Sequence, residues 1–427
     1  MRRKLYQYPP PFREVSHREA LPVDEVRPVR PVVELSEDQH VAAGRILSWF
    51  DSGPTEPFFL GGYAGSGKTL VATVVASQLP RPAFGAFTGK ACEVLHRRLA
   101  NLGGGMVQTL HKYMYQPIED PKSGKLIGFS PRPSPEFDAA GIVVVDEASM
   151  LPQSILDDLL AYDVPVLLVG DPAQLPPVNT AGIEFDKFDC SALLEKIHRQ
   201  EEGSAILDYA SHVRQGGAWR QIPRSPEVRM ISERQLKGEL SRAYADYGAM
   251  DTVILCNRND TRVALNQIAL ELHRDQVGGQ GDFFPGVPVV CLENYTTALL
   301  NGSRGWLVAP EVDRYWVKAC VRGIHAGAVG YEVHGHLFGP QFDRPRTISE
   351  FSEAHALFPE LVQEDWSDKL GLLFDFAYAM TVHKFQGSSA SCVFLKMERT
   401  AYMSDEEFRR WLYTAVTRAE KELVIIA

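Results

Sequence analysis

The segment Gly62–Thr69 constrains this chain most, because it fits the pattern G-x-x-x-x-G-K-[ST] at every position. A short apolar run precedes it and a helix-forming stretch follows it, which is the context that such a loop needs. Its glycines let successive N–H groups face phosphate oxygens, and the helix adds its positive end. The sequence therefore predicts a loop that binds ATP and Mg²⁺ through Gly62, Ala64, Gly65, Ser66, Gly67, Lys68 and Thr69.

Two side chains of this loop have separate predicted roles. Lys68 is expected to reach the β- and γ-phosphates, and the Thr69 hydroxyl to bind Mg²⁺. A second apolar strand, Val143–Val145, leads into Asp146 and Glu147. Ligands of open α/β sheets bind at the carboxyl ends of strands. Asp146 is therefore predicted to hold Mg²⁺ through water, and Glu147 to orient and deprotonate the attacking water.

A third apolar strand, Val166–Val169, runs into Gly170 and Asp171 and then Gln174. A neutral amide at the end of a strand can bond the γ-phosphate or its attacking water, and can so distinguish nucleotide states. An amide that stabilises the loop explains Gln174 equally well. The residues alone leave both interpretations open.

The pattern of apolar runs predicts an α/β fold. Continuous apolar strands separated by helices indicate parallel sheets covered on both faces. The length of 427 residues corresponds to two to four domains. Residues 116–137 are rich in Pro and Gly and predict a small hairpin. Residues from about 286 onward contain short β segments without helices, which predicts a small β-barrel insert.

Composition excludes several classes of protein. The 44 Lys and Arg against 54 Asp and Glu give a net charge of −10, which argues against a surface coated in basic patches but allows one basic groove. The six scattered cysteines form no C-x-x-C pair, so neither a zinc ribbon nor a disulfide framework is expected. Without an apolar membrane segment or a signal-peptide core, we expect a cytoplasmic protein.

The order of the motifs identifies a family resemblance. In chain order the segments are Leu35–Gln39, Gly62–Thr69, Ala86–Ala91, Thr109–Tyr113, Val143–Met150, Leu167–Val178, Lys196–Gln200, Tyr378–Ser389 and Tyr413–Ile425. Together they resemble the superfamily 1B DNA helicases of the RecD-like and phage Dda-like type. The resemblance implies two RecA-like P-loop lobes, 5′→3′ translocation on single-stranded DNA, and ATP hydrolysis in the cleft between the lobes.

The resemblance also implies a domain organisation. The first lobe is expected at 35–189 with the hairpin at about 116–137, after a proline-rich arm at 1–34. The second lobe is expected at 190–285 and 366–427, interrupted by an SH3-like β insert at 286–365.

Four more residues match nucleotide-site positions of the family. Gln39 corresponds to the glutamine that contacts the adenine edge, and Gly387 is expected at the cleft. Arg199 and Arg418 correspond to the two arginines that the second lobe presents to the γ-phosphate. The sequence supports Arg418 independently, because Ser404 and Glu407 form a capping box at the start of a helix that ends just before it.

The remaining motifs are expected to contact DNA. Hydroxyls, lysines and backbone amides hold a phosphate backbone without distinguishing base sequence. The predicted nucleic-acid contacts are Thr88, Lys90, Thr109, His111, Thr381, His383, Lys384 and Ser388. Phe129 is the predicted aromatic at the tip of the wedge that splits the duplex, although a ring that only anchors the hairpin fits the sequence as well.

The function predicted from these residues is an ATP- and Mg²⁺-dependent 5′→3′ DNA helicase. Its expected partners are single-stranded DNA and junctions with duplex, and a monomer is the expected working form. One alternative is an RNA-directed superfamily 1 helicase. Another is a non-unwinding ATPase subunit of a nuclease or recombination complex. The sequence does not distinguish DNA replication, repair and recombination as pathways.

Overall fold

A computed structural model of the chain describes residues 12–13, 34–87, 91–92, 95–96, 99, 106–119, 126–137, 139–177, 180–188, 191–196, 203–292, 301–312, 317–325, 328–338 and 372–427. The helices are α1 (Glu37–Asp51), α2 (Lys68–Ala76), α3 (Leu110–Met114), α4 (Gln153–Leu160), α5 (Ala205–Arg214), α6 (Leu236–Tyr247), α7 (Asn259–Val277) and α8 (Asp405–Val416).

The strands follow the same chain order. They are β1 (Phe12–Arg13), β2 (Phe58–Gly62), β3 (Pro82–Ala86), β4 (Met106–Thr109), β5 (Tyr115–Glu119), β6 (Leu126–Pro131), β7 (Ile142–Asp146), β8 (Val166–Gly170), β9 (Ser191–Leu194), β10 (Val228–Ile231), β11 (Thr252–Cys256), β12 (Pro288–Cys291), β13 (Arg304–Leu307), β14 (Glu311–Val312), β15 (Val317–His325), β16 (Ala328–Phe338), β17 (Leu372–Phe376), β18 (Ala379–Thr381), β19 (Ala390–Lys396) and β20 (Ala419–Ile426).

The chain divides into two compact units. The larger unit consists of Arg27–Met230 and Val382–Ile425, and the smaller unit consists of Met1–Val26, Ile231–Thr381 and Ile426–Ala427. The lobe boundaries inferred from the sequence remain predictions.

A parallel sheet organises the larger unit. Among the described residues it has six strands in the order β4-β3-β7-β8-β2-β9. Every neighbouring pair is parallel. Strands β2, β7 and β8 are buried along their whole length. Continuous apolar strands of this kind belong in the centre of a sheet that is covered on both faces, as the sequence predicted.

Successive side chains of β7 point to opposite faces and so enter two different cores. Val144 packs in the core that α1 and α2 cover, together with Ile46 and Val71. Val143 and Val145 pack in the other core, which α3 and α4 cover. The two cores hold β7 rigidly, and β7 carries Asp146 at its carboxyl end.

The predicted hairpin is present. Strands β5 and β6 pair in antiparallel fashion from Tyr115 opposite Pro131. The hairpin is fixed at its base, where Arg132 Nε donates to the Tyr115 carbonyl at 2.9 Å. The Tyr115 hydroxyl also donates to the carboxylate of Asp158 on α4. The hairpin therefore projects from a well-bonded base.

The last helix of the larger unit, α8, packs against α5. Helix α8 begins at a capping box of Ser404 and Glu407, which confirms the predicted start. Trp411, Ala415 and Val416 are fully buried on its apolar face. Strands β10, β20 and β19 lie side by side in that order.

A closed ring of strands forms the insert in the smaller unit. Within the ranges given above, five strands follow one another around the ring as β16-β17-β12-β13-β15, and β15 pairs back with β16. The pairs are antiparallel except β16 with β17. This confirms the small β barrel predicted from the sequence. The predicted arm at 1–34 and residues 341–365 of the insert lie largely outside the described residues.

Two strands lie elsewhere than the sequence predicted. The expected second lobe includes all of residues 366–427, but Leu372–Phe376 belongs to the barrel, and Ala379–Thr381 pairs with β11. Strand β9, just beyond the expected end of the first lobe at residue 189, pairs with β2. Short apolar strands have the same composition in a barrel and in a parallel sheet, so their neighbours cannot be inferred from composition.

Helix α7 links the barrel to the β11–β18 pair in the smaller unit. Asn266 exchanges two hydrogen bonds with the backbone of Ala379, at 2.7 and 3.1 Å. Arg262 Nη1 lies 3.2 Å from the buried carboxylate of Asp375 on β17. In the described part of the chain, no helix combines the length and the apolar character needed to cross a bilayer.

Candidate nucleotide-binding site

The predicted phosphate-binding loop connects β2 to α2, as the motif requires. Gly65 and Gly67 both have φ of +82°, a backbone conformation that residues with a Cβ rarely adopt. A Cβ on Gly62 would lie 2.5 Å from Ser66 Oγ and 2.7 Å from Lys68 Cγ. The glycines of the pattern are therefore required by conformation at two positions and by space at the third.

Gln39 holds this loop from α1. Its side chain is 3% exposed; Nε2 donates to the Ser66 carbonyl at 3.1 Å, and Oε1 accepts from the Ser36 N–H at 3.1 Å. A Cβ on Gly67 would lie 2.4 Å from Gln39 Nε2. Both ends of the amide are thus engaged with the protein. The adenine contact inferred for Gln39 remains a prediction.

The charged groups of the two predicted motifs come together at the sheet edge. Lys68 Nζ donates to the Tyr63 carbonyl at 3.1 Å. Thr69 Oγ1 donates to Asp146 Oδ2 at 3.2 Å, and Asp146 Oδ1 accepts from the Glu147 N–H at 2.9 Å. Glu147 has φ of +53°, an unfavourable conformation for a residue with a side chain. Such strain concentrates at functional sites.

The donor set fits a nucleotide with Mg²⁺. A threonine hydroxyl beside a carboxylate offers the oxygen ligands that Mg²⁺ prefers alongside substrate phosphates. Two buried polar atoms of the predicted motifs, Ser66 Oγ and Gln174 Oε1, have no hydrogen-bond partner in the described structure. Buried polar atoms without a partner are rare and costly. A phosphate group and its water would give these atoms partners.

A tyrosine on α8 contacts the loop directly. The Tyr413 hydroxyl accepts from the Ala64 N–H at 3.0 Å and donates to Asp171 Oδ2 at 2.7 Å. Burial raises the pKa of Asp171, and the charge of Lys68 and the bond from Tyr413 oppose that rise. Burial also raises the pKa of Tyr413, so its hydroxyl keeps its proton. One hydroxyl therefore joins the phosphate loop to the carboxyl end of β8.

The segment after Gln174 is clamped from two sides. The Leu175 N–H donates to Thr414 Oγ1 at 3.0 Å, and its carbonyl accepts from Gln386 Nε2 at 3.0 Å. Gly387, which follows, has φ of +71° and so favours glycine. Gln174 is 5% exposed. The backbone next to Gln174 is therefore held by residues from the carboxyl-terminal part of the chain.

Arg418 lies just beyond α8 and is 6% exposed. Its Nε donates to the Thr414 carbonyl at 3.1 Å, Nη1 to the Ser388 carbonyl at 3.3 Å, and Nη2 to Thr417 Oγ1 at 3.1 Å. These neutral acceptors fix the guanidinium without neutralising its charge. Its contact with a γ-phosphate remains a prediction.

The predicted DNA contacts divide into two groups. Thr109 caps α3, because its hydroxyl accepts from the Lys112 N–H at 3.3 Å. The His111 ring packs edge-on against Phe129, with centroids 4.5 Å apart, although Phe129 stays 50% exposed. Burial lowers the pKa of His111, so its ring is neutral at pH 7. The structure thus brings two of these predicted residues together at the hairpin.

The second group follows β18 in sequence. Burial lowers the pKa of His383, and the Ser388 carbonyl accepts from Arg418. Lys384 is half-buried, and Thr381 ends β18 in the smaller unit. Thr88, Lys90 and Arg199 lie outside the described residues.

Sequence reasoning missed three residues of this site: Tyr413, Asp171 and Gln386 had no assigned role. Each makes its contact with a segment far away in the chain, and no local pattern marks such a pairing. The only available signal was their position inside the motifs, next to residues that were assigned.

Two family models match the chain. An AAA domain covers residues 34–234, and a UvrD-like helicase C-terminal domain covers residues 376–426. The first match contains the phosphate loop and the Asp146–Glu147 pair, and the second contains Gln386, Tyr413 and Arg418. The residues brought together above therefore belong to two recognised domains.

Curated relatives match the sequence of this chain at modest identity. The ATP-dependent RecD2 DNA helicase of Deinococcus radiodurans is 27% identical over 359 residues, covering 78% of this chain and 41% of that protein. The conjugal transfer protein TraA of Agrobacterium fabrum is 27% identical over 424 residues, covering 91% of this chain and 32% of that protein. The chain thus spans less than half the length of these relatives.

Solved structures show the same fold. The Pif1 helicase from Bacteroides, in complex with ADP-AlF3 and ssDNA, has a TM-score of 0.53 and 19% identity, covering 92% of this chain and 93% of that one. The likeness confirms the predicted α/β fold with two RecA-like lobes. The two family models and the match to RecD2 agree with the family resemblance predicted from the motifs.

The bridging hydroxyl of Tyr413 gives a prediction for stability. Tyr413→Phe removes the donor to the buried Asp171 Oδ2 and the acceptor for the Ala64 N–H, while the bond from the Ala173 N–H to Asp171 Oδ1 stays. We therefore expect a loss of about 1–3 kcal/mol in the free energy of unfolding. Urea denaturation at neutral pH measures it. Tyr402→Phe is the matched control, since that side chain is 96% exposed. Equal stability of the two variants would show that the bridge contributes nothing.

Proposed function

We propose that this chain, a member of the RecD-like helicases of superfamily 1B, hydrolyses ATP to move 5′→3′ along single-stranded DNA and to unwind duplex. The observation that carries the proposal is the contact of Tyr413 with both Ala64 and Asp171. It joins a helicase C-terminal domain to a phosphate loop within one compact unit. The same proposal places the chain in the cytoplasm as a monomer.

The chemistry assigned to the site uses side chains at the ends of β2, β7 and β8. Lys68 and the loop N–H groups hold the phosphates, and Glu147 orients the attacking water and accepts its proton. Mg²⁺, held by Thr69 and Asp146, would neutralise charge on the phosphate oxygens. The buried Gln174 amide, with its free oxygen, is suited to hold that water in line.

The coupling of hydrolysis to movement depends on the carboxyl-terminal segment. Thr414 and Gln386 of this segment hold the backbone of Leu175, next to Gln174. The carbonyl of the same Thr414 accepts a hydrogen bond from Arg418. A change at the phosphates that shifts Gln174 must therefore move this segment as well. The segment continues from residues that the family resemblance assigns to DNA contact, which provides a route from nucleotide to strand.

The hairpin is the proposed wedge. Phe129 is half exposed while its ring rests against His111, so it combines a free aromatic face with a fixed position. An aromatic face of this kind can stack on the last base pair of a junction. Because burial keeps His111 neutral, it contributes packing and hydrogen bonding rather than charge.

Loss of the loop lysine provides the main test of hydrolysis. Lys68→Ala removes the charge that holds the phosphates, and we expect DNA-stimulated ATP hydrolysis to fall by about 100-fold or more while the fold is kept. Phosphate release in the presence of single-stranded DNA measures the rate. Lys187→Ala is the matched control, because that lysine pairs with Glu184 on the surface. Retained hydrolysis in Lys68→Ala would refute the assigned role.

The direction of translocation is tested with tailed duplexes, and the preference for DNA over RNA is tested by stimulation of hydrolysis. We expect the full chain to unwind a partial duplex with a 5′ single-stranded tail and to leave one with a 3′ tail intact. Single-stranded DNA should stimulate hydrolysis more than RNA of equal length and sequence. Greater stimulation by RNA supports the RNA-directed alternative. Stimulated hydrolysis without unwinding supports a non-unwinding ATPase subunit.

The wedge is tested by separating unwinding from hydrolysis. Phe129→Ala removes the exposed ring, and we expect unwinding of the 5′-tailed duplex to slow by roughly tenfold, since stacking on a base contributes about 1–3 kcal/mol. Hydrolysis stimulated by single-stranded DNA should stay unchanged. Ile118→Ala is the control, because this apolar side chain lies on the other strand of the hairpin and is 40% exposed. An equal effect of both variants means that the ring has no specific role.

A further inference from the structure

A cavity of about 250 Å³ lies beside the phosphate loop, in the larger unit. Among its lining residues are Tyr63, Arg214, Glu406, Arg409, Arg410 and Tyr413. Tyr63 belongs to the loop, and its carbonyl accepts from Lys68 Nζ. The Tyr413 hydroxyl accepts from the Ala64 N–H of the same loop. The cavity therefore shares wall residues with the phosphate loop and its surroundings.

Arg214 is the most unusual residue of this cavity. Its guanidinium carbon lies 3.6 Å from the centre of the Tyr63 ring, and its Nε is buried. No hydrogen bond or ion pair joins the guanidinium to any described residue. A buried N–H donor without a partner costs free energy. Stacking on Tyr63 therefore positions Arg214, and its buried Nε–H remains available to an acceptor.

The other two arginines of the cavity share one carboxylate. Arg410 Nε lies 2.8 Å from Glu406 Oε1, and Arg409 also pairs with Glu406. With Arg214, three guanidiniums therefore face a single carboxylate. The wall of the cavity carries net positive charge next to a loop whose substrate is anionic. Guanidiniums match the geometry of phosphate oxygens through paired N–H donors.

We propose that this cavity is a binding site for inorganic phosphate, with Arg214 as its direct ligand and Arg409 and Arg410 as supporting charges. The source of the ion rests on the proposed function. Hydrolysis transfers the γ-phosphoryl group to water, and the orthophosphate that forms leaves the loop past Tyr63. Arg214 binds the departing ion, so the cavity holds phosphate transiently during product release.

Binding of phosphate is measured in a background that lacks the loop lysine, so that the loop itself does not obscure the result. Isothermal titration of Lys68→Ala protein with inorganic phosphate, at constant ionic strength, is expected to show binding. Adding Arg214→Gln should weaken it about tenfold or more, the usual effect of losing a charged hydrogen bond. Adding Arg220→Gln should leave it unchanged, because that arginine stacks on Trp219 outside the cavity.

A second variant tests the same site in case Arg214→Gln does not fold. Arg409 and Arg410 are 40% and 37% exposed, so their joint replacement by Gln leaves the packing intact. This double substitution should also weaken phosphate binding. The proposal is overturned if Lys68→Ala protein binds no phosphate, or if it binds equally with and without Arg214. Displacement of phosphate by a short single-stranded DNA also overturns it, since the site would then belong to the nucleic acid.

Hydrolysis supplies an independent readout. Inorganic phosphate is expected to inhibit the wild-type ATPase, and Arg214→Gln to raise the inhibition constant about tenfold, with the Arg220→Gln variant behaving as wild type. Unchanged inhibition in Arg214→Gln contradicts a role in product release. If the wild-type chain hydrolyses no ATP, the proposed function fails, and the titration still decides whether the phosphate site exists.

Discussion

One buried hydroxyl joins the phosphate loop of this chain to its carboxyl-terminal segment. Tyr413 satisfies the Ala64 N–H on one side and the Asp171 carboxylate on the other. Asp171 is fully buried and lies within the electrostatic influence of Lys68, so it needs a donor there. A buried carboxylate without such a donor is costly. The bond therefore fixes where α8 lies, and Arg418 follows at the end of that helix.

The close packing of the loop has a related cause. Gln39 occupies the space that a side chain on Gly67 would need, and Ser66 and Lys68 occupy the space next to Gly62. The glycines thus leave room for neighbouring protein side chains as well as for phosphate. Gln39 anchors the loop to α1 through the Ser66 carbonyl. A binding loop held in its working conformation loses less entropy when its ligand arrives.

The parts that could be predicted from the sequence are those with a local pattern. The phosphate loop, the acidic end of β7, the hairpin, the barrel and the capping box of α8 each have residues at fixed spacing. The strand Leu372–Phe376 was misplaced, because an apolar run does not identify its neighbours in space. Tyr413 and Arg214 were missed for the same reason, because each contacts segments that lie far away in the chain. Long-range pairing is decided by the packing of whole elements.

The last strand of the barrel has a mechanical consequence. Only Ala377 and Tyr378 separate β17 from β18, and both are fully buried. Asn266 and Arg262 of α7 fasten the chain on either side of this junction. The connection between the barrel and β18 is therefore short and held on both sides, and it does not act as a hinge. A displacement of the barrel is therefore transmitted through this short connection to Thr381 at the end of β18, so the barrel and β18 move together.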